Sequence, residues 1–315
     1  MKRFIYKSII FLLLIILFLS LVLMFMARYP DKYARESHEI NVRLSAERLS
    51  HIDTTKIVII GGSGCGFGFN SQLIYNHFHM PIINTGTHAS IGIVMQLKMY
   101  EQYFKKGDIV LIIPEYQQFT KKYGYGIEDE TLYRILYNNY PEALKYLTFY
   151  QTINIIKYIP QYFQSAYAHR ELIFDTISPY YKSSLNEYGD VSFWEYRSHK
   201  SSIPAHTIQN DCPNEDIIEI IKDFMQVQEK KGVKCILFPP TYMSQSYENS
   251  KLFINTLSAV LLNNNIPFVT PTERYKFDDS LFYDTDYHLT YEGATLRTQM
   301  IIEDLDSVLN NDIIR

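Results

Sequence analysis

The chain has 315 residues, 47% of them hydrophobic, and a formal net charge of -4 at pH 7. That is enough apolar material for one large domain or two modest ones, and it excludes a disordered chain. Lysines and acids are interspersed without a basic run, so the electrostatic footprint of a nucleic-acid binder is missing and no such partner is expected.

The first element in chain order is apolar. Residues 9 to 26, IIFLLLIILFLSLVLMFM, are interrupted only by Ser20. At about 1.5 Å per residue they approach a ~30 Å hydrocarbon core. The run passes into MARYPDKY and not into a small-x-small cleavage site, so residues 1–27 read as an uncleaved membrane anchor. Lys2, Arg3 and Lys7 precede the span and Arg28, Lys32 and Arg35 come after it, which leaves the positive-inside rule almost balanced. The α-amino group tips the N-terminus towards the cytoplasm and the body of the protein towards the periplasm or cell exterior. Residues 28–54 are polar and helix-compatible and read as a stalk that lifts the domain off the bilayer.

From Lys56 onwards short apolar runs alternate with helical stretches: KIVIIGGS, NSQLIYNHFH, MPIINTG, ASIGIVMQLKMYEQYFKKG and DIVLIIPEY. Continuous Ile/Val/Leu runs are buried on both faces, and their alternation with helices predicts a parallel sheet. The rhythm resumes with NEDIIEIIKDFMQVQEKKG, VKCILFPP, NSKLFINTLSAVLLNNN, IPFVTP and a last helix from about Tyr291. Residues 55–315 are therefore expected to form a three-layer α/β sandwich on a five-stranded parallel sheet, with the loops after the strands along one edge. Between the third and fourth strands, residues 117–210 form a tyrosine-rich, mostly helical insertion, expected to cap that edge. Its aromatics either line a carbohydrate groove or pack a core. Cys65, Cys212 and Cys235 cannot all pair and match no zinc spacing, so they read either as one Cys212–Cys235 disulfide with a spare thiol or as small buried hydrophobes. No cofactor or metal is expected.

Two stretches carry chemistry. IVIIGGSGCGFGFNS places Ser63 where the first strand ends and a helix begins, with glycines clearing space and a helix N-terminus beside its N–H. A serine alone at such a turn is as often an N-cap; a nucleophile needs a base. FYDTDYHLTYEG supplies one in His288, with Asp284 and Asp286 close enough to fix its tautomer. His88, in NTGTHAS, is a rival base on the same edge. Cys65 lies beyond the apex of the turn and reads as an inert buried thiol. No Gly-Lys-Ser/Thr comes after the glycines and no acidic ribose partner stands about twenty residues on, which speaks against phosphate or dinucleotide binding.

IVIIGGSGCGFG, INTGTHAS and FYDTDYHLTYEGA resemble the first, second and last blocks of the SGNH/GDSL hydrolases, and in particular their membrane-anchored bacterial members associated with cell-surface polysaccharide modification. The resemblance covers residues 56–116 and 213–312. It implies Ser63 as nucleophile, His288 as base and the Ser63 and Gly86 N–H groups as the oxyanion hole. Three positions depart from the pattern: Gly62 stands where the family's first block has an aspartate, Thr285 stands where the last block has one, leaving Asp284 or Asp286 to serve, and Glu115 stands where it has an asparagine donor. An ionised carboxylate cannot donate to an oxyanion. The resemblance further implies an outward-facing esterase or O-acyltransferase, with acetyl the favoured acyl group and a surface glycan the acceptor, working beside a membrane-bound O-acyltransferase. The alternative is an inactive fold that organises such a complex.

Overall fold

Four strands set the frame: β1 (Ile57–Gly61), β2 (Ile82–Asn84), β3 (Ile109–Ile113) and β4 (Lys234–Leu237). They pair in parallel in the order β2-β1-β3-β4. The computed structural model describes residues 2–313 except 128, 201 and 209–211. β1 and β3 are buried along their whole length because each is central and covered on both faces. Successive side chains point to opposite sides of a strand; Val58 and Ile60 accordingly join one core cluster, and Ile57 and Ile59 join the other. Truncating a side chain here, for example Ile59→Ala, is expected to cost about 2–5 kcal/mol.

The sheet has four strands and not the five expected. Residues 266–271, IPFVTP, run beside β4 and donate one bond, from Val269 N–H to the Leu237 carbonyl at 2.9 Å. Pro267 and Pro271 lack the amide donors that would extend the ladder. A second, small parallel pair, β5 (Tyr242–Met243) and β6 (Lys276–Phe277), forms beyond the end of β4.

The first helix, α1 (Lys2–Arg28), is exposed, apolar and long enough to cross a membrane. α2 (Lys32–Glu36) and α3 (Asn41–His51) correct the stalk: Val42, Ala46 and Leu49, three or four residues apart on one side of α3, are buried in the main core. The polar neighbours Asn41 and Ser45 are buried too, bonded to the Asn84 carbonyl. Residues 32–51 are thus part of the domain. One turn, α4 (Ser63–Gly66), and α5 (Ser71–Phe78) come after β1, and α6 (Ile93–Tyr100) comes after β2.

In the insertion, α7 (Lys121–Gly124) and α8 (Glu130–Asn139) lead to α9 (Phe149–His169) and an irregular run. Leu132, Ile135 and Leu136 of α8 sit in the main core, so this stretch is woven into the domain and does not merely lie over its edge. α10 (Glu215–Lys230), α11 (Ser244–Asn249), α12 (Lys251–Asn263) and α13 (Tyr291–Ile313) complete the chain. Helices α3, α6, α8, α10 and α12 cover one face of the sheet, while Ile74 of α5 and Ile301 and Leu305 of α13 cover the other. The result is a three-layer α/β sandwich.

Candidate active site

β1 delivers Ser63 to the carboxyl edge of the sheet, and β3 delivers Glu115 beside it. A side chain at Gly62 would overlap the Glu115 carboxylate, so glycine there lets the carboxylate approach the turn. Gly66 serves close packing and does not open the surface, since a Cβ there would lie 2.7 Å from the Gly86 carbonyl oxygen. The helix expected to begin at Ser63 is a single turn; α5 starts separately at Ser71. That turn is clamped from two sides. Arg297 of α13 donates from Nη1 to the Gly64 carbonyl at 2.6 Å, and Asn84 Nδ2 donates to the Cys65 carbonyl at 2.9 Å and to Asp190 of the insertion, fully buried, at 2.8 Å.

Ser63, His88, Glu115, His206, Asp286 and His288 all line one cleft of about 520 Å³. The two segments more than two hundred positions apart in the chain are therefore brought to one rim. Within it, the His288 side is tightly organised. Asp284 Oδ1 lies 2.9 Å from His288 Nδ1, and Tyr180 Oη donates to Asp284 Oδ2 at 2.7 Å while standing 3.1 Å from the same Nδ1. Phe67 stacks on the imidazole with centroids 4.1 Å apart and planes 9° from parallel. Burial alone would raise the Asp284 pKa, but the bond and charge of His288, the Tyr180 hydroxyl and Lys200 outweigh it and hold the carboxyl below its ordinary value. Thr285 supplies no acid; its Oγ1 accepts the His288 N–H at 3.1 Å and shapes the turn. His288 Nε2 has no hydrogen bond among the described residues and is left for the cleft.

Asp286 goes elsewhere. Its Oδ2 lies 3.0 Å from His206 Nδ1 and its carbonyl accepts the Met243 N–H, so of the two acids only Asp284 reaches His288.

The Ser63 side is organised around Glu115. Ser63 Oγ donates to Glu115 Oε1 at 3.3 Å, Gly64 N–H donates to the same oxygen at 2.9 Å, and Gln117 Nε2 donates to Oε2 at 3.1 Å. Gln118 completes a capping box by accepting the Glu115 N–H. Burial raises the Glu115 pKa, opposed first by the Gly64 N–H bond and then by His288. No hydrogen bond joins Ser63 to His288 among the described residues.

Gly86 is not an oxyanion donor here. Its N–H is taken by Asn84 Oδ1 at 3.0 Å and it is buried against Gly66, away from the cleft lining. The side chain of Asn84 closes a local turn on the residue two ahead, which uses the amide up. The Ser63 N–H carries no bond to protein among the described residues. His88 contributes differently from expectation: its Nδ1 accepts the Ser90 N–H at 3.2 Å, and burial lowers its pKa to about 4. A neutral ring whose Nδ1 accepts carries its proton on Nε2, which makes His88 a donor and not a base.

The three cysteines are free thiols, so the Cys212–Cys235 disulfide does not form. Cys65 is buried and its thiol is pushed up to about 11 by desolvation, which fits an inert side chain. Sequence reasoning misses Tyr180, Phe67 and His206. Phe67 is within its reach, being four residues after Ser63 in the same glycine-rich stretch; Tyr180 and His206 lie in aperiodic parts of the insertion that carry no local signal.

Compared with known proteins, the chain matches no family model and no curated protein.

Proposed function

We propose that this chain is a membrane-anchored serine esterase or O-acyltransferase of SGNH type, facing the periplasm or cell exterior and acting on a cell-surface glycan. The observation that carries the reading is the arrangement of His288: Nδ1 is held by Asp284 at 2.9 Å, and Nε2 is left to a cleft that Ser63 also lines. That is the arrangement a general base requires.

In this mechanism Ser63 Oγ attacks the acyl carbonyl and its proton passes to His288 Nε2, while Asp284 stabilises the imidazolium. The tetrahedral oxyanion takes the Ser63 N–H and the His88 Nε2–H. Collapse expels the first alcohol with the proton returned from His288, leaving an acyl-serine. Water or a sugar hydroxyl then enters by the same steps in reverse, giving hydrolysis or transfer. A membrane-bound O-acyltransferase as acyl source is a partner suggested by the family resemblance alone.

One observation favours a second reading, an inactive scaffold in a polysaccharide-modifying assembly: Ser63 Oγ bonds to Glu115 and not to His288. The two readings part on one experiment. A fluorophosphonate probe should label the full-length protein and neither Ser63→Ala nor His288→Ala. Equal labelling of all three, or of none, removes the acyl-enzyme mechanism and leaves the scaffold.

A further inference from the structure

The longest helix of the insertion carries an apolar face that the domain does not cover. Along α9, Phe149, Ile153, Ile156, Pro160, Phe163 and Tyr167 recur every three or four residues and form one stripe. Phe149 is 78% exposed, Ile153 50%, Ile156 54% and Tyr167 67%. The opposite side of the helix is the packed one, with Gln151 and Tyr162 buried. Apolar stripes of this length are seldom left to water.

The occupant is indicated by what the stripe touches. Phe163 packs against Phe25, near the end of α1, with ring centroids 5.5 Å apart. Met26 of α1 shares an apolar pocket with Ile155, Tyr158, Ile159 and Tyr162. Among the described residues, the approach of α9 to α1 thus gathers at Phe25 and Met26, in the last turn of α1. The approach is fixed by Asp31, three residues beyond α1: its carboxylate accepts Ser165 Oγ at 3.0 Å and lies 3.0 Å from His169 Nδ1. Lys32 Nζ donates to the Leu172 carbonyl at 2.9 Å, which holds the next exposed residue, Ile173 at 93%, at the same end of the domain. Arg28, Lys32 and Lys157 supply positive charge there.

We propose that α9 lies in the lipid–water interface beside the point where α1 leaves the bilayer, with Phe149, Ile153 and Ile156 among the acyl chains. The inference rests on the reading of α1 as a membrane span. An interfacial helix presents an apolar face with basic and aromatic residues at its border. Pro160 lacks the N–H that would bond the Ile156 carbonyl, and that carbonyl is tolerable at headgroup depth, where water reaches it, more readily than in hydrocarbon. With α1 and α9 both engaged the domain is held at two places, which fixes how its cleft is turned relative to the membrane.

The test uses the full-length protein in phosphatidylethanolamine/phosphatidylglycerol vesicles, with and without lipids brominated near the headgroup end of their chains. In a Trp194→Phe background, single tryptophans are placed by Leu14→Trp in α1, Ile156→Trp in α9 and Leu252→Trp, an exposed site on α12. The proposal expects bromine to quench Leu14→Trp and Ile156→Trp and to leave Leu252→Trp unchanged. Quenching of Leu14→Trp without Ile156→Trp overturns the interfacial helix and leaves the anchor intact. An Ile156→Trp that is blue-shifted but unquenched assigns the stripe to a second copy of the chain and likewise overturns it. Absence of quenching at both positions overturns anchor and interfacial helix together.

Discussion

Asp284, which holds His288, and Glu115, which holds Ser63, serve one cleft and are used in opposite ways. Asp284 is aimed at an imidazole, takes a tyrosine hydroxyl on its other oxygen, and has its pKa lowered despite burial. Glu115 is aimed at the serine and the amide behind it, and burial raises its pKa. On the proposed mechanism, the base half of the site is assembled in advance, while the nucleophile half rests in a competing bond. Ser63 Oγ must then leave Glu115 for His288 before it can react.

The largest effects should fall on the assembled half. His288→Ala and Asp284→Asn are each expected to lower the second-order rate of fluorophosphonate labelling by about 10³-fold or more, the scale seen when a catalytic triad loses its base or its orienting acid. Asp286→Asn leaves the Asp284–His288 pair intact and should change the rate far less. An Asp286→Asn defect as deep as that of Asp284→Asn would sink the assignment of roles. On the other half the sign reverses. A hydrogen bond to a charged group is worth about 1.5–3 kcal/mol, so freeing the serine with Glu115→Ala is expected to raise labelling by about tenfold or more. The same change strands the Gly64 N–H and should lower Tm. A slower reaction in Glu115→Ala would show instead that the carboxylate assists the serine.

Much of the frame is legible in the sequence because its signals are local. The Ile/Val runs of β1 and β3 declare burial on two faces, and Asp284 and His288 are four residues apart. Contacts that span the chain are not legible. Tyr180 and Asp284 meet across 104 positions, and nothing around Tyr180 has a period that could announce it. α3 reads as solvent-facing because Asn41 and Ser45 dilute its apolar stripe, yet both are buried and satisfied by backbone carbonyls. Two corrections have their cause in plain sight: the prolines of IPFVTP that stop a fifth strand, and the asparagine of INTG whose side chain takes the Gly86 amide. In both, one polar or backbone detail outweighs a correct pattern.

The opposite pKa shifts predict opposite pH dependences of stability. Asp284 has its folded pKa below the unfolded value, so its contribution is present above the ordinary aspartate range and is lost as pH falls through the folded pKa. Glu115 has its folded pKa above the unfolded value; its contribution is complete at low pH and is lost as pH rises through the folded pKa. Calorimetry of the full-length protein between about pH 3 and pH 8 should therefore show the Tm deficit of Asp284→Asn shrinking towards acid, below about pH 4. The Tm of Glu115→Gln relative to wild type should rise as pH increases over the same range. Parallel trends in the two variants would contradict the shifts.

The smallest predicted effect is the most local, and it tests how the base is held. Nδ1 of His288 has one proton to donate and two oxygens within reach, Asp284 Oδ1 at 2.9 Å and Tyr180 Oη at 3.1 Å. Because Tyr180 gives its own proton to Asp284 Oδ2 at 2.7 Å, the tyrosine acts as a positioning residue that braces the carboxylate. Tyr180→Phe removes a bond worth about 0.5–1.5 kcal/mol and should slow acylation by roughly two- to tenfold. Since Tyr180 does not line the cleft, an ester substrate should show this in kcat with KM unchanged. Asp284→Asn keeps the shape of the side chain but not its charge, and must be far worse. If Tyr180→Phe were as damaging as Asp284→Asn, the tyrosine oxygen and not the carboxylate would be the partner that orients the ring.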